Sequence, residues 1–274
     1  MYQMLFRKIR GIEFPVVGMG TSRTFDVDES TPEVFSIRSK IVEECQMNGV
    51  TLVDSSPMYG NAEKVLGLAI QENDPSKFQI ATKVWTTGHG SGLDQIDNSF
   101  SLLKTEYIHI FQIHNLVDWK THLPTLTGLK EEGKIGLVGL TCMTPSDYPE
   151  MMNIMKTGKI DSIQIPYNVI NTRVESDVLP LAEAMGIGVL VMEPLQKGKY
   201  VKDLRLPPDL VPLSDLGIKT WAQALLSWVI SNEVITSAIP ATSNPKRIKE
   251  NSLGAIQIPA ELRDFVKSET ERCI

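Results

Sequence analysis

A chain of 274 residues with 42% apolar content can bury one large core, and barrels of this length commonly form a single domain, expected here over 1–274. A formal charge of −6 with no long basic run disfavours a nucleic-acid surface and favours small-molecule chemistry. Cys45, Cys142 and Cys273 are too few and too scattered for a disulfide framework or a zinc site, and a reducing cytoplasm suits them.

The opening MYQMLFRKIRGIEF lacks the apolar core and cleavage site of a signal peptide, and no apolar run along the chain reaches membrane-spanning length. Residues 5–15 read as a hairpin. Short β-branched runs then alternate with amphipathic segments, the pattern of βα units. Strands are predicted at 16–20, 51–54, 79–84, 108–114, 135–141, 162–166, 188–192 and 236–240. Helices are predicted at 32–48, 61–71, 93–105, 123–132, 145–156, 176–185, 218–231 and 245–253, with another at 260–271. Gly49, Gly133, Gly158 and Gly186 follow helical runs where a left-handed cap is wanted, while Pro32, Pro145 and Pro245 suit first turns. Eight such units predict a (β/α)8 TIM barrel with an N-terminal β-hairpin. The longest stretch without periodicity, 196–217, holds Pro207, Pro208 and Pro212 and falls on the catalytic face of such a barrel.

Asp54 closes the second strand in LVDSSPMYG, Tyr59 follows it, Lys83 lies near the end of the third strand and His114 ends the fourth. Side chains leaving successive strands at one end form a catalytic constellation. A tyrosine is a poor proton donor at neutral pH until a nearby cation favours its ionised form, which Lys83 would supply, with Asp54 as the anion that keeps the lysine charged. His114 would complete an oxygen-binding corner. The bland alternative is a structural ion pair, a loop tyrosine and a core histidine; convergence at one barrel end favours catalysis.

The segment Asp54-Ser-Ser-Pro-Met-Tyr59-Gly60 resembles the signature of the aldo-keto reductase family. Ala81-Thr82-Lys83-Val84 and Phe111-Gln112-Ile113-His114 are similar to that family's lysine and histidine strands, and the likeness runs from Gly18 to Asn251. The resemblance implies an NADPH-dependent reductase of aldehydes or ketones, with NADH as an alternative cofactor. It makes Asp54, Tyr59, Lys83 and His114 the catalytic tetrad and Tyr59 the general acid. It also implies cofactor contacts from Gly20, Thr21, Asp54 and Thr141, with Gln164 on the nicotinamide carboxamide and Met192 beside the ring. Pro194 and Leu195 would lie along the pyrophosphate, and Thr242, Arg247, Glu250 and Asn251 around the adenosine end. Departures are visible. Thr141-Cys142 stands where many relatives have Ser-Asn, Met192 replaces a stacking tyrosine, and Ala241 replaces a phosphate-binding lysine. Glu193 helps an anion only if it turns towards the ribose or a lysine. The chain also ends without the long tail that many relatives fold over the substrate, which predicts an open pocket.

No metal site is expected. His109 and His114 point to opposite faces of one strand, and His89 and His122 are expected to be solvated. Trp85 and Trp119 are candidate pocket walls, Trp221 and Trp228 core. The expected partner is a small carbonyl compound, with no nucleic acid or membrane, and the expected state a monomer or weak oligomer. Two other readings stay open: a cofactor-binding regulatory subunit with little turnover, and a Schiff-base aldolase using Lys83.

Overall fold

The computed structural model describes residues 4–274; residues 1–3 of the expected domain lie outside the described residues. Two antiparallel strands, β1 (Phe6–Ile9) and β2 (Ile12–Pro15), open the chain as the expected hairpin, turned by Arg10 and Gly11 at positive φ. Strands and helices then alternate: β3 (Met19–Gly20), α1 (Pro32–Met47), β4 (Leu52–Asp54), α2 (Ala62–Gln71), β5 (Gln79–Val84), α3 (His89–Leu103), β6 (Ile108–Ile113) and α4 (Trp119–Glu131). They continue as β7 (Ile135–Thr141), α5 (Tyr148–Met155), β8 (Ser162–Pro166), α6 (Val178–Met185), β9 (Gly188–Met192), α7 (Lys199–Lys202), α8 (Trp221–Ile230), β10 (Ile235–Ala238), α9 (Lys246–Ser252) and α10 (Ala260–Cys273).

β3 to β10 pair in parallel, each with the next in sequence, as the eight-stranded sheet of a (β/α)8 barrel. The ring closes between its first and last strands through two isolated bridges, Val17↔Ala238 and Gly20↔Ala241. Glycine is required at this seam: a Cβ on Gly18 or Gly20 would lie 2.9 Å from the carbonyl oxygen of Leu52 or Ile239. The expected strand at 16–20 is therefore reduced to Met19–Gly20, because Val16 and Val17 meet β10 only at the bridging positions.

Strand side chains alternate between two cores. Leu52, Ala81, Ile110, Leu137, Leu190 and Ile239 fill the barrel above Ile9 and Phe14 of the hairpin, which plugs one end. Val53, Ile80, Phe111, Val138, Ile163 and Val191 face outward into the layer shared with the helices.

Two helices start a full turn earlier than expected, while α8 starts three residues later, at Trp221 instead of 218. α3 begins at His89 and α4 at Trp119, each four residues before the predicted 93 and 123, and α4 carries Pro124 inside it. The predicted 145–156 helix splits into a 3-10 turn, Pro145–Asp147, and α5. The stretch 196–217 is not featureless, since it folds into α7 flanked by 3-10 turns at Gln196–Gly198 and Val211–Leu216.

Candidate active site

The alternation that sends Leu52, Ala81 and Ile110 into the barrel also sends Asp54, Lys83 and Gln112 inward, one layer nearer the strands' C-terminal ends. Gln164 joins them from β8 between the outward-facing Ile163 and Ile165. All four side chains are buried. The Lys83 ammonium donates to Asp54 Oδ1 at 2.8 Å, to Oδ2 at 2.7 Å and to the Ser55 carbonyl at 2.6 Å. Asp54 Oδ1 also accepts the side-chain amides of Gln112 at 3.2 Å and Gln164 at 3.0 Å. A charge pair this deep persists only when its remaining lone pairs and protons are satisfied, and these donors do that.

Tyr59 ends the 3-10 turn Pro57–Tyr59, whose N-cap Ser56 accepts the Met58 N–H on its hydroxyl. The turn brings the Tyr59 ring over Lys83, with Nζ 5.3 Å from its centroid, and edge-on to His114 at 6.0 Å. His114 Nδ1 lies 3.1 Å from Ser56 Oγ, and the Trp85 ring is 6.4 Å away. The four tetrad residues predicted from sequence are thus brought together.

Burial works against a charged Lys83, but Asp54 foremost, helped by Tyr59 and Glu63, outweighs it and holds the amine above its ordinary pKa. His114 is pushed down to about 3 by burial and by the Lys83 charge, so its imidazole is neutral at physiological pH. Tyr59 departs from expectation. Burial lifts the phenol above its usual value, Lys83 pulls it down as predicted, and Asp54 adds to the rise, so the net shift is upward. The lysine's effect has the expected sign but loses to desolvation. A protonated phenol at neutral pH is the form a proton donor needs, and the ammonium beside it stabilises the phenolate left behind.

Asp54, Tyr59 and Gln164 border a cavity of about 490 Å³ between the β3, β9 and β10 ends, a volume suited to a cofactor and small substrate, whereas Lys83 and His114 do not line it. Among the predicted contacts, Gly20, Asp54, Gln164, Met192, Pro194, Leu195, Thr242, Arg247 and Asn251 line it, as does Tyr59. Three predicted contacts do not. Thr21 is fully buried with its hydroxyl engaged by the Asp54 carbonyl and Ser55 Oγ. Thr141 Oγ1 accepts the backbone N–H of Asn115 at 2.8 Å, because the chain after β6 turns back through left-handed Asn115 and Leu116. Glu250 is spent on Arg247, 2.6 Å away.

Sequence reasoning missed Arg23, Met143, Lys197, Lys202, Ser243 and Asn244, which also line the cavity. The lysines carried a usable signal, since both lie within the irregular stretch 196–217 predicted to lie on the catalytic face. Glu193 does turn to a lysine, reaching Lys197 at 2.8 Å, so its charge is met before any phosphate approaches. Neither Trp85 nor Trp119 lines the cavity; the Trp119 indole donates to Glu150. Trp221 and Trp228 are core as expected. His122 is not solvated but buried within the first turns of α4, donating from Nε2 to the Thr86 carbonyl at 2.8 Å and packing on Gly92. The early start of α4 explains this, since it draws His122 from a loop onto the face that meets α3. Among the described residues, no group of three or more His, Cys, Asp or Glu is placed to hold a metal ion, and no helix is long and apolar enough to cross a membrane.

The aldo/keto reductase family profile matches residues 16–265. Methylglyoxal reductase YeaE of Escherichia coli is 25% identical over 260 residues, covering 92% of this chain and 89% of that protein. L-galactose dehydrogenase of Arabidopsis thaliana is 24% identical over 273 residues, covering 88% and 84%. A crystal structure of an aldo-keto reductase from Klebsiella pneumoniae in complex with NADPH superposes with a TM-score of 0.81 at 22% identity, covering 98% of this chain and 96% of that one.

Proposed function

Because the chain belongs to the aldo/keto reductase family, we propose that residues 1–274 form one barrel domain that reduces aldehydes or ketones with NADPH, NADH serving as an alternative. The observation that carries this reading is Tyr59, seated against the Lys83 ammonium and the His114 ring at the wall of a cavity that Gln164, Met192 and Arg247 also line.

The donor set fits a nicotinamide dinucleotide. Gln164 offers an amide, donor and acceptor together, as a carboxamide requires. Met192 sets a polarisable thioether on the cavity wall. Arg247 offers a guanidinium suited to a 2′-phosphate, with Thr242, Ser243 and Asn244 as polar neighbours. When bound, the dihydronicotinamide supplies the hydride.

The protein's own residues handle the oxygen. His114, neutral and immobilised, hydrogen-bonds the carbonyl oxygen and orients it. Tyr59 gives its proton to that oxygen as negative charge develops there. Lys83 stabilises the resulting phenolate, and Asp54, held by Gln112 and Gln164, keeps Lys83 charged and in place. Names among the relatives point to small oxygenated carbonyl compounds as the first substrates to try.

The test is a fluorescence titration with NADPH and NADH, followed by cofactor absorbance over a graded panel of aldehydes and ketones. Consumption of cofactor with at least one carbonyl class supports the proposal. Tight binding with no consumption across the panel overturns it in favour of a cofactor-binding regulatory subunit.

A further inference from the structure

Ser56 has no part in the chemistry so far, yet its hydroxyl is fully buried and lies 3.1 Å from His114 Nδ1. A serine hydroxyl has one hydrogen to give and two lone pairs to receive with. One lone pair takes the Met58 N–H at 3.2 Å, and among the described residues the only other partner of this oxygen is His114 Nδ1. If the imidazole donated to serine, the hydroxyl hydrogen would be buried without an acceptor, at a cost comparable to a lost hydrogen bond. If serine donates to Nδ1, every group is satisfied and the ring proton is confined to Nε2.

We propose that Ser56 is a positioning residue that fixes His114 in its Nε2–H tautomer, so that the neutral ring presents a donor to the substrate oxygen. A ring protonated on Nδ1 would present a lone pair to that oxygen and repel it. Two features make the constraint firm. Ser56 is the N-cap of the turn that delivers Tyr59, so one short segment sets both the acid and the histidine's proton. The ring is neutral because it is buried and faces Lys83, so the tautomer and not the charge decides what it offers. The inference rests on the carbonyl-reductase reading for its consequence, though not for its geometry.

The test has a spectroscopic and a kinetic arm. Long-range imidazole nitrogen–proton NMR on the full chain, with His114 assigned by its loss in His114→Asn, is expected to show a neutral Nε2–H ring from pH 6 to 8. Ser56→Ala is expected to give mixed tautomers and a fall in kcat of about tenfold, the usual worth of one neutral hydrogen bond, with the KM for NADPH unchanged. Ser56→Thr, which keeps the hydroxyl, recovers most of that loss, and Ser56→Ala adds nothing in a His114→Asn background. An Nδ1–H ring in the wild-type protein, an unchanged tautomer in Ser56→Ala, or equal losses in the Ala and Thr variants would each overturn the proposal. If the wild-type protein reduced no carbonyl, the NMR arm would still decide the tautomer and only the reading of the reaction would fall.

Discussion

Replacing Lys83 with methionine separates what the ion pair does for the fold from what it does for the reaction. The lysine is fully buried, donates to both Asp54 oxygens at 2.7 and 2.8 Å, and satisfies the Ser55 carbonyl. Methionine fills similar space and leaves Asp54 a buried carboxylate supported only by the Gln112 and Gln164 amides. Breaking one side of such a pair costs about 3–5 kcal/mol. At roughly 2–4 °C per kcal/mol for a domain of this size, the melting temperature falls by roughly 6–20 °C. The double variant Asp54→Asn, Lys83→Met carries no stranded charge and keeps an oxygen for both amides, so it recovers most of that loss. Turnover recovers in neither, because Tyr59 lacks its cation in both. Thermal unfolding followed by circular dichroism and kcat on a responsive carbonyl check both parts. A double variant as unstable as the single one, or a single variant with wild-type turnover, refutes the reasoning.

Tyr59→Phe is expected to leave the Kd for NADPH within about twofold and to lower kcat by a factor of order 10² or more, the usual worth of general acid catalysis; steady-state rates beside a fluorescence titration measure both. For carbonyl reduction, kcat/KM is expected to stay flat from pH 6 to 9. Tyr59 is protonated below a pKa raised above 10.0, and His114, pushed from 6.5 to about 3, remains neutral throughout; a step near pH 6.5 contradicts the neutral ring. Arg247→Ala is expected to raise the Kd for NADPH about tenfold and that for NADH less than twofold, since a charged hydrogen bond to the extra phosphate is lost from only one of them. Equal losses would remove Arg247 from that role.

Much of the site was legible because a strand has a period of two. Once Leu52, Ala81 and Ile110 face the barrel, Asp54, Lys83 and Gln112 must face it as well. What escaped sequence reasoning depends on partners that no local pattern announces. Thr141 is claimed by the backbone of Asn115, which adopts a left-handed conformation that its residue type permits but does not dictate. His122 is buried because α4 starts at Trp119, four residues before the expected start at 123, and runs on through Pro124. The sign of the Tyr59 shift turns on whether desolvation or a cation is stronger, which only the packed site decides. Arg23 reaches the cavity from a loop, and Lys197 and Lys202 from a 3-10 turn and the one-turn helix α7, elements too short for a hydrophobic period to announce.

The barrel resembles a cask whose first and last staves are tied by little more than two rungs, Val17 to Ala238 and Gly20 to Ala241. Gly20, Ile239, Pro240 and Ala241 of that joint also line the cavity. A dinucleotide lying there would act as a hoop, resisting separation of the staves with a linkage energy of about 2.7 kcal/mol at a hundred times its Kd. The tightening would be local, slowing amide hydrogen exchange at Gly18 and Ala238, which donate across the joint, more than in the ladders opposite.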